Sequence, residues 1–273
     1  MLLLTACAGP AALHLEAAEE RGYEVLEINA DGWPLTVYRP PSGTPEGGRW
    51  HIYLTGDGTP WTAGGRIRSR DPTPRGRLTL ALMDLDTAPR LLLHRPCYAR
   101  HPMETACHPL QWTDARYSEQ VVETMDAALN RLAEANGMKE LVLIGYSGGG
   151  TLARLLAGRR EDVTALVTIA ANLDHDAWTR HHGYLPLTGS LHVTRQPPLD
   201  PGVRQWHFAG GRDTVVPPDV VRRGLRQETH ARLTVVPGYH HGCCWEEQWP
   251  RVLAWLAGDP VPPSTATRHP AGH

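Results

Sequence analysis

Short apolar runs alternate with amphipathic stretches along most of the chain. "YEVLEI" (23–28) and "LTVYR" (35–39) flank Asp31-Gly32, a dipeptide that favours a tight turn, and together predict an antiparallel hairpin. "WHIYLTG" (50–56) reads as a third strand. Five more follow at 90–96, 141–146, 163–170, 204–210 and 232–238. The later runs are continuously apolar, the pattern of strands covered on both faces in a parallel sheet. Between them, the stretch 115–136 repeats Val121, Val122, Met125, Ala128, Leu129, Leu132 and Ala133 at helical spacing, and Gly137 closes it. Shorter helical patterns lie at 151–157, 217–226 and 246–257.

A leading hairpin followed by strand–helix units predicts one α/β domain over 21–257. Its sheet is mostly parallel, with helices on both faces. Residues 1–20 form a separate N-terminal segment. The last stretch, "GDPVPPSTATRHPAGH" (258–273), is rich in Pro with no apolar period and reads as a disordered tail.

Composition narrows the class. The 273 residues are 41% hydrophobic, enough for one large core. The 27 basic and 29 acidic residues nearly balance, and no basic stripe interleaves with aromatics, which argues against a nucleic-acid partner. No run approaches the roughly 18–20 apolar residues of a membrane span.

Five cysteines carry compartment information. Cys7 closes "LLTAC" (3–7), the small-residue pattern of bacterial lipoprotein processing. Only Met1 and Leu2 precede that motif, so the natural start is expected upstream, with Cys7 lipidated and tethering a periplasmic or envelope protein to a membrane. With Met1 as the start the protein would be cytoplasmic. The other four are an even number able to pair in an oxidising compartment. Cys97 and Cys107 bracket a short loop whose closure would contribute roughly 2–3 kcal/mol. Adjacent Cys243 and Cys244 are either a vicinal bridge or two buried thiols.

Chemistry concentrates at Gly145-Tyr146-Ser147-Gly148-Gly149, which satisfies G-x-S-x-G between a predicted buried strand and a helix. A sharp strand-to-helix turn would expose the serine hydroxyl above the sheet, and the flanking glycines remove side chains that would clash there. Serine is a weak nucleophile at neutral pH, so the motif calls for a histidine base and an orienting carboxylate. Asp213 lies just past the strand ending at Gly210, and His240 and His241 just past the last strand. That is the order Ser, Asp, His expected of this topology. His241 is the preferred base and His240 the alternative; Asp174, in "ANLDHDAW", is the alternative acid. The backbone amide of Gly148 is one expected oxyanion donor. The second is assigned to Asp57 N–H, with Gly58 the alternative, in "YLTGDGTPW" (53–61).

At these residues the chain resembles the α/β-hydrolase superfamily, over roughly 50–256. Within it the chain looks especially like a proteobacterial group of lipoprotein-like hydrolases. The landmarks are "GDG" and "PW" at 56–61, "DPTPR" at 71–75, "RPC" at 95–97, "GYSGGG" at 145–150, "NLD" at 172–174, "GGRDTVVP" at 210–217 and the segment 241–249. The resemblance implies the α/β-hydrolase fold, a Ser–His–Asp triad, no cofactor and a small-molecule acyl substrate. Esterase or lipase-like chemistry comes first. A peptidase or amidase with the same triad, or a non-catalytic envelope binding protein on the same fold, are the alternatives. One departure is Thr55-Gly56, where the superfamily carries His-Gly before the oxyanion loop. The stretch 178–201 stands where this fold inserts a cap.

"DHDAWTRHH" (174–182) also offers His175, Asp176, His181 and His182 alongside Asp174, but these spacings match no closed metal site, and no metal is expected. Neither Cys243 nor Cys244 sits on a strand–turn–helix elbow, so both read as braces of the histidine loop rather than nucleophiles. The oligomeric state is left open.

Overall fold

The computed structural model describes residues 9–41, 48–100 and 107–260. Cys7 and the tail beyond residue 260 lie outside the described residues. In chain order the elements are α1 (Pro10–Glu19), β1 (Glu24–Ala30), β2 (Trp33–Arg39), β3 (Arg49–Leu54), β4 (Trp61–Thr62), β5 (Ile67–Arg68), α2 (Leu78–Asp84) and β6 (Arg90–Leu93). There follow α3 (Glu119–Asn136), β7 (Glu140–Tyr146), α4 (Gly148–Ala157), β8 (Val163–Ile169), α5 (His175–His182), β9 (Arg204–Gly210), α6 (Pro218–Gly224), β10 (Arg232–Val236) and α7 (Trp245–Ala257).

Eight strands form one sheet in the order β1-β2-β6-β3-β7-β8-β9-β10. The hairpin closes through Ala30 opposite Trp33, with Asp31 and Gly32 both at positive φ. That is the twist-matched two-residue turn the dipeptide predicts. β2 meets β6 antiparallel, and the pairings from β6 through β3, β7, β8 and β9 to β10 are parallel. The predicted architecture of a parallel sheet with an antiparallel leading hairpin is therefore present.

Period-two alternation divides the core into two layers. On β7, Leu141 and Leu143 face a cluster with Val121, Met125, Leu129 and Leu152 of α3 and α4. Val142 and Ile144 face Tyr53, Trp206, Trp249 and Val252 on the side of α2 and α7. α3 begins later than the 115–136 pattern suggested, because Ser118 caps it: its side chain accepts the Val121 amide. Gly137 ends it in the left-handed conformation, as predicted.

Three of the buried histidines, His14, His94 and His207, are held neutral by their surroundings. Burial holds His14 down to about 4, and burial together with Arg154 holds His207 down to about 3. Burial also takes His94 well below its ordinary value. All three are neutral when folded and titrate near 6.5 when unfolded. The unfolded chain thus binds more protons below about pH 6.5, and stability falls as pH drops from there toward the folded values. Each histidine adds a slope of up to about 1.4 kcal/mol per pH unit. Urea midpoints measured from pH 7.5 to 4.5 should decline steadily, and His207→Gln should flatten that decline.

Candidate active site

β7 ends by turning into α4 at Ser147, whose φ of 52° and ψ of −125° lie outside the common regions for a residue with a side chain. Such strain costs about 1–3 kcal/mol and persists only where its surroundings enforce it. Here the Ser147 amide donates to Ile169 O at 2.8 Å, and its carbonyl accepts the Gly150 amide at 2.9 Å. The glycines make the turn possible. A Cβ on Gly145 would lie 2.4 Å from Gly149 O, and one on Gly149 would lie 2.3 Å from Leu54 O and 2.4 Å from Thr55 O. Gly149 thus lets α4 approach the end of β3 closely. Gly149→Ala should destabilise the fold by about 3 kcal/mol through overpacking against rigid backbone, read as a lowered urea midpoint.

The hydroxyl of Ser147 is 3.0 Å from His241 Nε2, and His241 Nδ1 is 2.8 Å from Asp213 Oδ2. Asp213 is buried, and its other oxygen accepts the amides of Val215 and Val216, each at 2.8 Å. One carboxylate oxygen shapes its own loop while the other orients the ring.

The histidine is held from behind. Its carbonyl accepts Trp245 Nε1 at 2.8 Å and Tyr146 OH at 3.3 Å. The Tyr146 ring also lies tilted against the imidazole, 5.2 Å between centroids. Cys243 and Cys244 are joined as a vicinal bridge at the start of α7, directly after this loop.

The alternatives go elsewhere. His240 is exposed. Asp174 caps α5, accepting the Ala177 amide at 2.9 Å, and lines a separate cavity of about 270 Å³ with Arg154 and Arg223. Cys97 and Cys107 are joined, with Cα atoms 5.7 Å apart. The stretch 178–201 splits into the end of α5 and an irregular segment. That segment docks by Leu191 N on Tyr117 O (2.9 Å) and by Ser190 Oγ on Asp114 O (2.6 Å).

The oxyanion-loop candidates occupy the gap between β3 and α4. Gly56 packs against Ser147, where its Cβ would be 3.2 Å from that of the serine. Gly58 has a φ of 64°, and its Cβ would collide with Pro72 O at 1.9 Å, so only glycine fits against the "DPTPR" segment. Among the described residues, the Asp57 and Gly148 amides have no hydrogen-bond acceptor.

The side chain of Asp57 does something the sequence did not announce. Its Oδ1 accepts Arg95 Nη1 at 2.9 Å, and its Oδ2 accepts Arg116 Nη1 at 3.0 Å and Tyr117 OH at 2.5 Å. Tyr98 OH donates to Asp57 O at 3.0 Å, and Arg95 Nη2 to Thr55 O at 3.3 Å. Burial alone would raise the Asp57 carboxyl; the Arg95 and Arg116 guanidiniums and the Tyr117 hydroxyl outweigh it and hold the group below its ordinary value. The carboxylate lies so close to Gly148 that a Cβ there would be 1.9 Å from Oδ1. One carboxylate against two arginines leaves net positive charge beside the α4 N-terminus, where a negative charge is favoured. Arg95 stood in the "RPC" landmark, but nothing in the pattern around Arg116 and Tyr117 marked them.

No family model and no curated protein matches the chain by sequence. Solved structures match by shape. The Pf2001 esterase of Pyrococcus furiosus superposes with a TM-score of 0.60 at 15% identity, covering 93% of this chain and 97% of that one. Est1E from Butyrivibrio proteoclasticus gives 0.55 at 17% identity, covering 86% and 98%. An alpha-beta serine hydrolase homologue from Coxiella burnetii gives 0.52 at 16%, covering 86% and 96%. The chain has the α/β-hydrolase fold. Within the α/β-hydrolase fold, Ser147 occupies the strand–turn–helix elbow, and Asp213 and His241 lie beyond the C-terminal ends of β9 and β10.

Proposed function

We propose that the protein is a serine hydrolase working by acyl transfer, with Ser147, His241 and Asp213 as its triad. The observation that carries this reading is the continuous hydrogen-bonded line from Asp213 through His241 to the hydroxyl of a strained Ser147. In this reading Ser147 Oγ attacks a carbonyl carbon as its proton passes to His241 Nε2. Asp213 keeps Nδ1–H directed toward itself and stabilises the imidazolium. The oxygen of the tetrahedral intermediate gains negative charge and is met by the amides of Gly148 and Asp57. Collapse expels the leaving group with the proton from His241, and water repeats the sequence to free the acid.

An ester of a small acyl group is the substrate class we favour, since the named esterases share this fold at nearly full length; the step from fold to substrate is analogy. A fluorophosphonate probe tests the reading directly. Stoichiometric labelling of Ser147, located by peptide mass, is expected, and folded protein that resists the probe would overturn it. A panel of acyl esters against matched amides then separates an esterase from an amidase: turnover of the esters alone is expected. We also propose Cys7 as a lipidation site, which a basic, apolar leader encoded upstream of Met1 would support and its absence would refute.

A further inference from the structure

The stretch 174–182 offers histidines whose linear spacing forms no metal site, but the fold adds a residue from outside it. His175, first residue of α5, and His192, in the irregular segment that follows, bring their rings to 3.7 Å between centroids. Asp176 Oδ1 lies 2.8 Å from His192 Nε2 and 3.7 Å from His175 Nδ1. One ligand atom from each of the three residues falls within 4.8 Å of the others.

The orientation of His175 is the decisive detail. The residue is only 1% exposed, and its Nε2 is 3.1 Å from the carbonyl oxygen of Leu191. A carbonyl only accepts, so the ring proton resides on Nε2 and Nδ1 presents a bare lone pair. That Nδ1 is buried and has no hydrogen-bond partner. Leaving it unpaired costs about 1–3 kcal/mol. An imidazole whose far N–H donates to a backbone carbonyl is also the arrangement that orients metal-bound histidines.

We propose that His175 Nδ1, His192 Nε2 and Asp176 Oδ1 form a binding site for a divalent ion of the zinc type. Two imidazoles and one carboxylate suit a borderline ion rather than magnesium or calcium. Zinc bonds of roughly 2.0–2.2 Å in a tetrahedron place ligands about 3.4 Å apart. The two separations from Asp176 Oδ1, 2.8 and 3.7 Å, bracket that value, and the third pair lies within 4.8 Å, so side-chain shifts complete the geometry. The ion takes the place of the proton shared by His192 Nε2 and Asp176. That proton moves to His192 Nδ1, which already lies 3.3 Å from the hydroxyl oxygen of Thr194. Arg195, on the other oxygen of Asp176 at 3.3 Å, is largely exposed and can swing away.

Such an ion would join the start of α5 to the segment after it. α5 supports the Asp213 loop, where Trp178 Nε1 and His182 Nε2 meet Val215 O at 2.7 and 2.9 Å. The site is distinct from the triad and does not depend on the hydrolase reading.

Protein stripped with a chelator and titrated with Zn²⁺ by calorimetry tests the site. One equivalent is expected to bind, with a rise of several degrees in melting temperature at zinc a hundredfold above the dissociation constant. His192→Ala should weaken binding by about 100-fold or more, and Asp176→Asn by about 10–100-fold, with circular dichroism confirming that both fold. Co²⁺ should give the visible absorption of a four-coordinate site in the wild type and not in His192→Ala. His181→Ala, which removes the exposed histidine near the far end of α5, should bind as the wild type does. No stoichiometric binding by the folded wild type, or equal affinity in His192→Ala and Asp176→Asn, overturns the proposal. Loss of binding in His181→Ala overturns it as well.

Discussion

Ser147→Ala is expected to abolish fluorophosphonate labelling and to lower kcat/KM for ester hydrolysis by about 10⁴-fold or more. In the proposed mechanism the hydroxyl supplies the nucleophile, and among the described residues Ser147 Oγ is the side-chain partner of His241 Nε2. Loss should fall on kcat, because Oγ forms its bond only as the reaction proceeds. Stability should change by less than about 1 kcal/mol, since the backbone strain at Ser147 remains and only one oxygen of a partly buried residue is removed. Asp213→Asn should also cost about 10⁴-fold, because the amide can present a donor to Nδ1 and favour the wrong tautomer. The two effects should not add, as all three groups act in one proton transfer. Wild-type rates in Ser147→Ala would remove the triad from consideration.

The second large effect is expected at Asp57. Arg95 is 2% exposed and Arg116 4%, and both place a guanidinium nitrogen on the Asp57 carboxylate. Asp57→Ala leaves two buried cations facing each other with their shared anion gone. Breaking a buried pair in this way costs about 3–5 kcal/mol, since an uncompensated charge stays in the interior. Urea unfolding should therefore show one of the larger stability losses available from a single change at this site. The catalytic consequence should follow from the same contacts. The carboxylate, Tyr98 on the Asp57 carbonyl and Arg95 on the Thr55 carbonyl fix the backbone around the proposed oxyanion donor. Where related folds place His-Gly, this chain has Thr55-Gly56, and the arginine–tyrosine clamp supplies the anchoring. Asp57→Asn keeps the shape and should retain more stability, yet lose about 10²-fold in kcat with KM nearly unchanged. A variant with wild-type urea midpoint and wild-type kcat would show that the clamp positions nothing.

Most strands were legible because their information is local. Apolar runs such as "LVLIGY" and "VTALVTIA" match β7 and β8 within a residue at their ends, and Asp31-Gly32 names its own turn. Helices with a clear stripe, α3 above all, were equally readable, apart from the start that Ser118 sets. α5 was missed as a helix because "HDAWTRHH" carries few apolar residues and looks like a histidine cluster. α2 was missed for a different reason. "LTLALMD" is so short and uniformly apolar that its period cannot be told from that of a strand. For the proposed triad, chain order and position after strand ends pointed to Ser147, Asp213 and His241, which the fold brings within hydrogen-bonding distance of one another.

By itself, then, the sequence determined the alternation of strands and helices, the elbow and the order of the three residues around it. These depend on spacing along the chain, which periodicity and turn chemistry record. Only the tertiary structure decided what Asp57 does with its side chain and which residue completes the cluster at His175. Arg95, Arg116 and Tyr117 converge on Asp57 from 38, 59 and 60 positions away, and His192 reaches Asp176 across an irregular segment. Contacts of that kind have no period to read. They are set by how the sheet brings separate segments together, and the charges and lone pairs involved acquire their roles only once water has been excluded around them.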